Sequence, residues 1–400
     1  MTPTPLPSVE ACWELMLAQA AQLESIRLPL DAALGRILRD DARAGADSPP
    51  FDAAAMDGYA AYAADGAGRL RVVGTSQAGA GFAGSVQRGE CVRIFTGAPV
   101  PAGLDRVVKQ EDAIRDGEFV RVPAVAGPTH VRRRGENRRH GEVLVRAGTR
   151  LGPTELAALA SAGLDQPEVT RAPRCVHLVT GNELVAPGET PANAQIRDSN
   201  STLVGALLRR HGAELVGQAR APDDLTAAQS ILAGLPAHDV LLISGGASVG
   251  DLDLARPLLA MLNYTVHFQQ INLRPGKPLV FASRGARLAF ALPGNPVSHW
   301  VVFHLFVAPL LTFLETGVAP TYARLVGRLT PDHWLPPPDT RQTFWPCRAV
   351  PVDARFELTS LTLASSGDSS GLVGANALLP LPLVCRDPDN PRVVEFIPCP

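Results

Sequence analysis

Between residues 174 and 314, short aliphatic runs alternate with longer stretches of helical apolar spacing, and this alternation limits the possible folds most sharply. Cys175-Val176-His177-Leu178-Val179 reads as a strand, and Ser199-Asn200-Ser201 caps a helix carrying Leu203, Val204, Leu207 and Leu208 that Gly212 can end. Asp223-Asp224 opens another helix through Ile231 and Leu232. The run 240–243 gives a further strand, and Leu288-Ala289-Phe290-Ala291 another before a helical stretch ending near Leu314. Strands alternating with helices of this length predict a parallel, doubly wound α/β sheet. Ligands of such sheets bind outside the carboxyl ends of the strands, so the loops there are where chemistry is expected.

The flanking regions read differently. Ser8 is a plausible N-cap for a first helix with Val9, Leu15, Met16, Ala20 and Leu23 on roughly one face. Gly-rich sequence with short runs such as Leu70-Arg71-Val72-Val73, Cys91-Val92-Arg93-Ile94-Phe95 and Val107-Val108-Lys109 then suggests an inserted β-rich module, and helix returns near 153–163. The Pro-rich stretch Pro331 to Pro338 marks a boundary ahead of a small C-terminal β-barrel-like module. The expected division is 1–45 plus 140–172, 46–139, 173–318 and 319–400.

Bulk properties exclude several classes of function. Lys plus Arg number 37 against 39 Asp plus Glu, so a net charge of −2 gives no long-range attraction for nucleic acid or an anionic membrane. Six cysteines lack metal-ligand spacing and suggest neither a zinc ribbon nor a disulfide framework. The amino terminus has no basic region followed by an apolar one, and no uninterrupted run of about 18 apolar residues occurs, so a cytoplasmic location is expected.

Four loops of the α/β region carry chemistry suited to an anionic ligand. Val240-Leu241-Leu242 leads into Ile243-Ser244-Gly245-Gly246-Ala247-Ser248-Val249-Gly250-Asp251-Leu252-Asp253, where glycines let backbone N–H groups approach oxyanions. Asp251 and Asp253 could hold a divalent cation there. Thr180-Gly181-Asn182-Glu183 offers Glu183 as a metal ligand or as an acceptor for an NH-rich heterocycle. Arg274-Pro275-Gly276-Lys277-Pro278 places two cations on a proline-stiffened turn fit for a tetrahedral oxyanion. Leu292-Pro293-Gly294-Asn295-Pro296-Val297-Ser298 ends a strand and starts a helix whose free N–H groups point at the same sheet edge. The absence of a nucleophile elbow, a Walker loop, a zinc-protease motif and a dinucleotide fingerprint argues against hydrolytic Ser/His and nicotinamide chemistry.

These loops, with Ala55-Met56-Asp57-Gly58-Tyr59-Ala60, Ile94-Phe95-Thr96-Gly97-Ala98-Pro99 and Ile196-Arg197-Asp198-Ser199-Asn200, resemble in order the molybdopterin molybdenumtransferase family, that of bacterial MoeA and the gephyrin E domain. The resemblance implies an elongated four-subdomain homodimer whose third subdomain is the molybdopterin-binding fold. It implies that adenylylated molybdopterin and molybdate are substrates, and that Mg²⁺ assists cleavage of the adenylate. Asp57, Thr96, Glu183, Asp223 and Asp253 are similar to positions of the family's active cleft. Glu183, Asp251 and Asp253 would serve the metal. Ser244, Gly245, Gly246, Ser248, Gly250, Arg274, Lys277, Pro293, Asn295, Pro296 and Ser298 would line the substrate edge. Contacts with a molybdopterin adenylyltransferase and with molybdoenzyme maturation factors are further implications.

Departures from the family pattern accompany the matches. Asn137 and Asn182 stand where the family usually carries an acid, so Asn137 is not carried over as one, and Arg274 replaces a frequent lysine while keeping its charge. Ser365-Ser366-Gly367 and Ala375-Asn376 match family patterns only loosely. The same central fold also serves molybdopterin adenylyltransferases, which would use ATP without needing the Asp57 and Thr96 modules. A gephyrin-like scaffold and a tungsten-selective enzyme are the other readings left open.

Overall fold

A computed structural model describes residues 5–124, 127, 129–246 and 254–399. The chain forms two compact units, one of Met1–Ile26, Gly35–Ile37 and Thr170–Pro400, the other of Arg27–Leu34 and Leu38–Val169. Ser8 caps helix α1 (Val9–Leu17) by accepting a hydrogen bond from the Ala11 N–H at 3.2 Å. The helix ends before Ala20 and Leu23, and it buries Val9, Cys12 and Met16 while Leu15 is 43% exposed. The spacing rule thus chose the wrong side for Leu15.

The second unit holds a six-stranded sheet made of β1 (Gly58–Ala61), β2 (Gly68–Ser76), β3 (Glu90–Ile94), β4 (Arg106–Lys109), β5 (Ile114–Asp116) and β6 (Phe119–Val122), in the order β4-β1-β3-β2-β6-β5. Alternate residues serve opposite faces, as the two-residue period of a strand requires. Ala60, Val92 and Val107 enter one core, and Tyr59, Ala61, Cys91 and Val108 the other. Helix α2 (Pro153–Ser161) starts on a proline, where a missing N–H costs nothing, and the Glu155 carboxylate accepts the Gly152 N–H at 3.0 Å.

In the first unit a central sheet comprises β7 (Arg174–Thr180), β8 (Glu214–Ala221), β9 (Val240–Ser244), β10 (Thr265–Phe268), β11 (Val280–Arg284) and β12 (Arg287–Leu292), ordered β8-β7-β9-β12-β11-β10. Strands β7, β9 and β12 run parallel as expected, and β8, which the sequence reading did not identify, joins them in parallel beside β7. Strand β11 is antiparallel to both its neighbours, because a tight turn at Gly285 makes β11 and β12 a hairpin. Helices α3 (Asn200–Arg210), α4 (Leu225–Ala233), α5 (Ala255–Met261) and α6 (Pro296–Thr316) cover the sheet. α1, α3 and α6 share one buried cluster with Phe281 and Phe290, and α4 and α5 share another with Leu241 and Ile243.

Helix α6 is long and apolar enough to cross a membrane by length and composition, with mean hydropathy 1.8, yet 89% of that apolar window is buried against the protein itself. Its apolarity is that of a core helix touched on all sides. A wide π turn at Phe303–Val307 precedes Pro309, which has no N–H to donate to a regular α turn.

The C-terminal strands β13 (Leu325–Leu329), β14 (Gln342–Val352), β15 (Arg355–Ser360), β16 (Ala377–Leu381) and β17 (Val393–Pro398) close into a five-stranded barrel. Strand β14 pairs with both β15 and β16, while β13 and β17 complete the circuit. The two-residue strand Leu273–Arg274 adds in parallel to Gln342–Thr343 of β14, joining the barrel to the central sheet's carboxyl edge.

Phe290 is fully buried at the centre of this unit. Phe290→Ala is expected to lower its unfolding free energy by about 3–5 kcal/mol in urea denaturation. Val373→Ala, at a residue 81% exposed, is expected to change it by less than about 0.5 kcal/mol.

Candidate functional site

The four loops singled out in the sequence converge on one edge of the central sheet and on a cleft of about 1170 Å³ shared with the barrel. Thr180 closes β7, Ser244 closes β9 and Leu292 closes β12, and the register of β11 against β12 puts Val280, just after Pro278, at the same edge. Two glycines are required by close approach. A Cβ on Gly245, with φ of +90°, would sit 2.5 Å from the Thr180 carbonyl oxygen, and one on Gly276 would sit 2.6 Å from Val302. Gly246, like Gly245, lines the cleft.

One wall carries carboxylates. Glu183 is exposed in the cleft and Asp223 lines it from the loop after β8. The 182 and 223 loops are cross-linked reciprocally: the Asn182 N–H donates to Asp223 Oδ2 at 3.1 Å, and the Asp223 N–H donates to Asn182 Oδ1 at 3.2 Å. An amide oxygen suffices for this link, so the departure at Asn182 leaves the loop pairing intact. Thr180 Oγ1 is buried with no hydrogen-bond partner and belongs to a residue of the cleft lining. Among the described residues no group of three or more His, Cys, Asp or Glu side chains is gathered as for a metal ion. Ser248, Gly250, Asp251 and Asp253 lie outside the described residues.

The facing wall carries cations. The Arg341 guanidinium grips Asp339 with both arms, Nε at 2.9 Å and Nη2 at 2.7 Å, and holds that carboxyl well below the usual carboxylate range. Arg274 lies 3.5 Å from the same carboxylate and donates to the Pro337 carbonyl at 2.7 Å. Lys277 is exposed in the cleft. Among the described cleft cations it is the one with no carboxylate partner.

At the start of α6, the Asn295 side chain donates to Ser366 Oγ at 2.7 Å and the Val297 N–H donates to the Ser366 carbonyl at 3.1 Å, so the helix terminus is docked on the barrel loop. Ser298 is buried and Pro293 lines the cleft beside it.

Sequence reasoning missed Trp334 and Trp345 as part of this cleft, while Arg341 and the loosely matched Ser365-Ser366 also line it. The stretch Pro331 to Pro338, expected to lie ahead of the C-terminal module, instead connects the barrel strands β13 and β14 and borders the cleft through Trp334. The sequence signal for Trp334 was an aromatic residue and an acid flanking the prolines at 336–338.

Two expected substrate residues stand elsewhere. Pro296 occupies the first turn of α6 and is not among the cleft-lining residues. The Ser244 side chain is fully buried and turned into a polar chain within the fold. Its direction is set by its end: His299 Nδ1 lies 2.7 Å from the Pro293 carbonyl, which can only accept, so Nδ1 carries the proton. His299 Nε2 then accepts from the Ser244 hydroxyl at 3.1 Å, and Ser244 Oγ accepts from His177 Nε2–H at 2.5 Å. His177 Nδ1 accepts from Gln218 at 2.9 Å. Every proton in this chain has an acceptor, which explains a hydroxyl and two imidazoles inside an apolar sheet.

On the second unit, the pairing of β1 with β3 brings Asp57 and Thr96 together. Asp57 Oδ1 accepts from both the N–H and the hydroxyl of Thr96 at 2.7 Å, and these bonds hold its carboxyl below the usual range. In the loop 135–142, the Asn137 N–H donates to the Ser48 carbonyl at 2.9 Å, a backbone role that needs no acid.

Residues 7–163 match the family model described as "MoeA N-terminal region (domain I and II)", and 177–312 match "Probable molybdopterin binding domain". The chain is 33% identical to a molybdopterin molybdenumtransferase of Nostoc over 95% of its own length and 91% of the relative's. It is 30% identical to a gephyrin of Dictyostelium discoideum over 94% of its own length and 60% of the relative's. Two solved structures of molybdopterin biosynthesis MoeA proteins from Pyrococcus horikoshii superpose with TM-scores of 0.81 and 0.75, at 28% and 26% identity. They cover 99% and 98% of this chain, and 100% and 98% of their own.

Burial pushes His177 down to about 3 and His299 down to about 4, so both are neutral inside the fold at pH 5. In the unfolded chain they titrate near 6.5. The unfolded state therefore binds protons that the folded state refuses, and stability is full above about pH 6.5 and lost below it. The expected slope is about 1.4 kcal/mol per pH unit for each such histidine. The urea midpoint should fall steadily from pH 6.5 to 5; a flat midpoint over that window would contradict neutral burial.

Proposed function

The chain belongs to the molybdopterin molybdenumtransferase family, and on that premise we propose how its own residues transfer molybdenum from molybdate to adenylylated molybdopterin. It is an enzyme of molybdenum-cofactor synthesis. One observation carries the reading of the site: a single cleft sets Glu183 and Asp223 on one wall and Lys277, Arg274 and Arg341 on the other, with Gly245 and Gly246 between neighbouring strands.

Molybdate is a tetrahedral dianion and repels the phosphoanhydride it must approach. Lys277 supplies the positive charge that offsets this repulsion, with Ser298 and the backbone of the Pro293 loop as hydrogen-bonding neighbours. Arg274 and Arg341 share Asp339, so they act as a fixed and partly neutralised pair that shapes the pocket.

Two cleft carboxylates fit Mg²⁺, which is commonly held by one or two carboxylates together with substrate phosphates and waters. Glu183 would hold it here together with Asp251 and Asp253, and Asp223 adds a second carboxylate to the described lining. Mg²⁺ would supply polarisation of the adenylate leaving group. A ligand that fills the cleft excludes the water that would divert transfer into hydrolysis. Asp57, held ionised by Thr96, is assigned to the same reaction by the resemblance. A cytoplasmic homodimer, contact with a molybdopterin adenylyltransferase and with maturation factors, and the four-part division of the chain belong to this same reading.

Purified protein incubated with adenylylated molybdopterin, Mg²⁺ and molybdate should release AMP in step with pterin-bound molybdenum. Lys277→Ala should lower the rate about a hundredfold, the usual scale for removing one charge-stabilising donor. An absence of molybdate-dependent AMP release would defeat the reading, and adenylylation of free molybdopterin from ATP would favour an adenylyltransferase instead.

A further inference from the structure

We propose that Trp334, backed by Trp345, is the ring-binding wall of the cleft and takes a planar heteroaromatic part of the substrate by stacking. The inference rests on the substrate assigned under Proposed function, whose two ends both carry such a ring, adenine at one and pterin at the other.

Among the described residues the cleft lining is otherwise built from hydrogen-bonding, charged, Gly, Pro and aliphatic residues, and its two aromatic side chains are Trp334 and Trp345. Their exposures differ in a telling way. Trp345 is buried in β14 and its indole N–H donates to the Leu361 carbonyl at 2.8 Å, so its ring is fixed. Trp334 leans on it with ring centroids 5.5 Å apart and planes tilted by 57°, and is still 40% exposed. A large indole left open inside a polar cleft forgoes the stabilisation that burial would bring.

The segment bearing Trp334 is also tied down at several points. The Trp334 carbonyl accepts the Ser360 hydroxyl, the Pro337 carbonyl accepts Arg274, and Asp339 is held by Arg274 and Arg341. The same strap that offers the ring is therefore fastened to the cleft's cationic wall. Prolines at 336, 337 and 338 restrict its backbone further. A pre-positioned aromatic face adjoining fixed positive charge is the arrangement that receives a flat ring joined to phosphate.

The test uses the full chain without molybdate, titrated separately with AMP and with 6-hydroxymethylpterin, and reads affinity by calorimetry. Trp334→Ala is expected to weaken one of the two ligands roughly five- to a hundredfold, while Trp334→Phe, which keeps a π face, stays within about threefold of the wild type. Trp334→Leu serves as a second variant that keeps apolar bulk without the face, should the alanine variant fail to fold. Loss confined to AMP assigns the wall to adenine, and loss confined to the pterin assigns it to the pterin. Unchanged affinity for both ligands in the alanine or leucine variant, or no binding of either by the wild type, overturns the proposal. Ring binding by a protein that shows no molybdate-dependent AMP release would sink the assigned reaction and leave the wall standing.

Discussion

The pairing of Leu273–Arg274 with Gln342–Thr343 of the barrel is the constraint on which the rest of the cleft depends. A parallel sheet leaves its carboxyl edge open, with loops that have no partners of their own. Here one of those loops becomes a strand of the barrel edge, so the facing wall is held by backbone hydrogen bonds. The contacts of Asn295 and Val297 with Ser366 fasten the start of α6 to the same barrel. Wall positions are then set by strands and a helix, which place side chains more accurately than free loops do.

That join also explains the distribution of charge. Arg274 is carried onto the barrel side, where Asp339 and the Pro337 carbonyl engage it and Arg341 completes the arrangement. These groups form a braced structure whose net charge is smaller than its two arginines suggest. Lys277, three residues further along and beyond the turn that Gly276 permits, keeps its charge for the cleft. Two cations read from the sequence as equivalent therefore divide into one that braces and one that faces the ligand.

Much of this was legible in the sequence because periodicity and turn chemistry report local structure. The strands at 174–180 and 240–244, the caps at Ser8 and Asp224, and the convergence of four loops followed from those signals. What was not legible depended on distant partners. Nothing near Ser244 reveals that it would face His177 and His299, 67 and 55 residues away, instead of the ligand. The hairpin of β11 and β12 was hidden because only 288–291 was read as a strand there, and the Gly285 turn that joins it to 280–284 went unread. The role of Trp334, Asp339 and Arg341 depended on barrel closure, which pairs β14 with a strand about thirty residues downstream.

The most direct test is a crystal of the full chain soaked in molybdate and measured on both sides of the molybdenum absorption edge. An anomalous peak in the cleft beside Lys277, lost in a Lys277→Ala crystal, is the predicted result. A peak elsewhere on the chain, with the cleft empty at saturating molybdate, would contradict the assignment of this cleft as the site of molybdenum transfer.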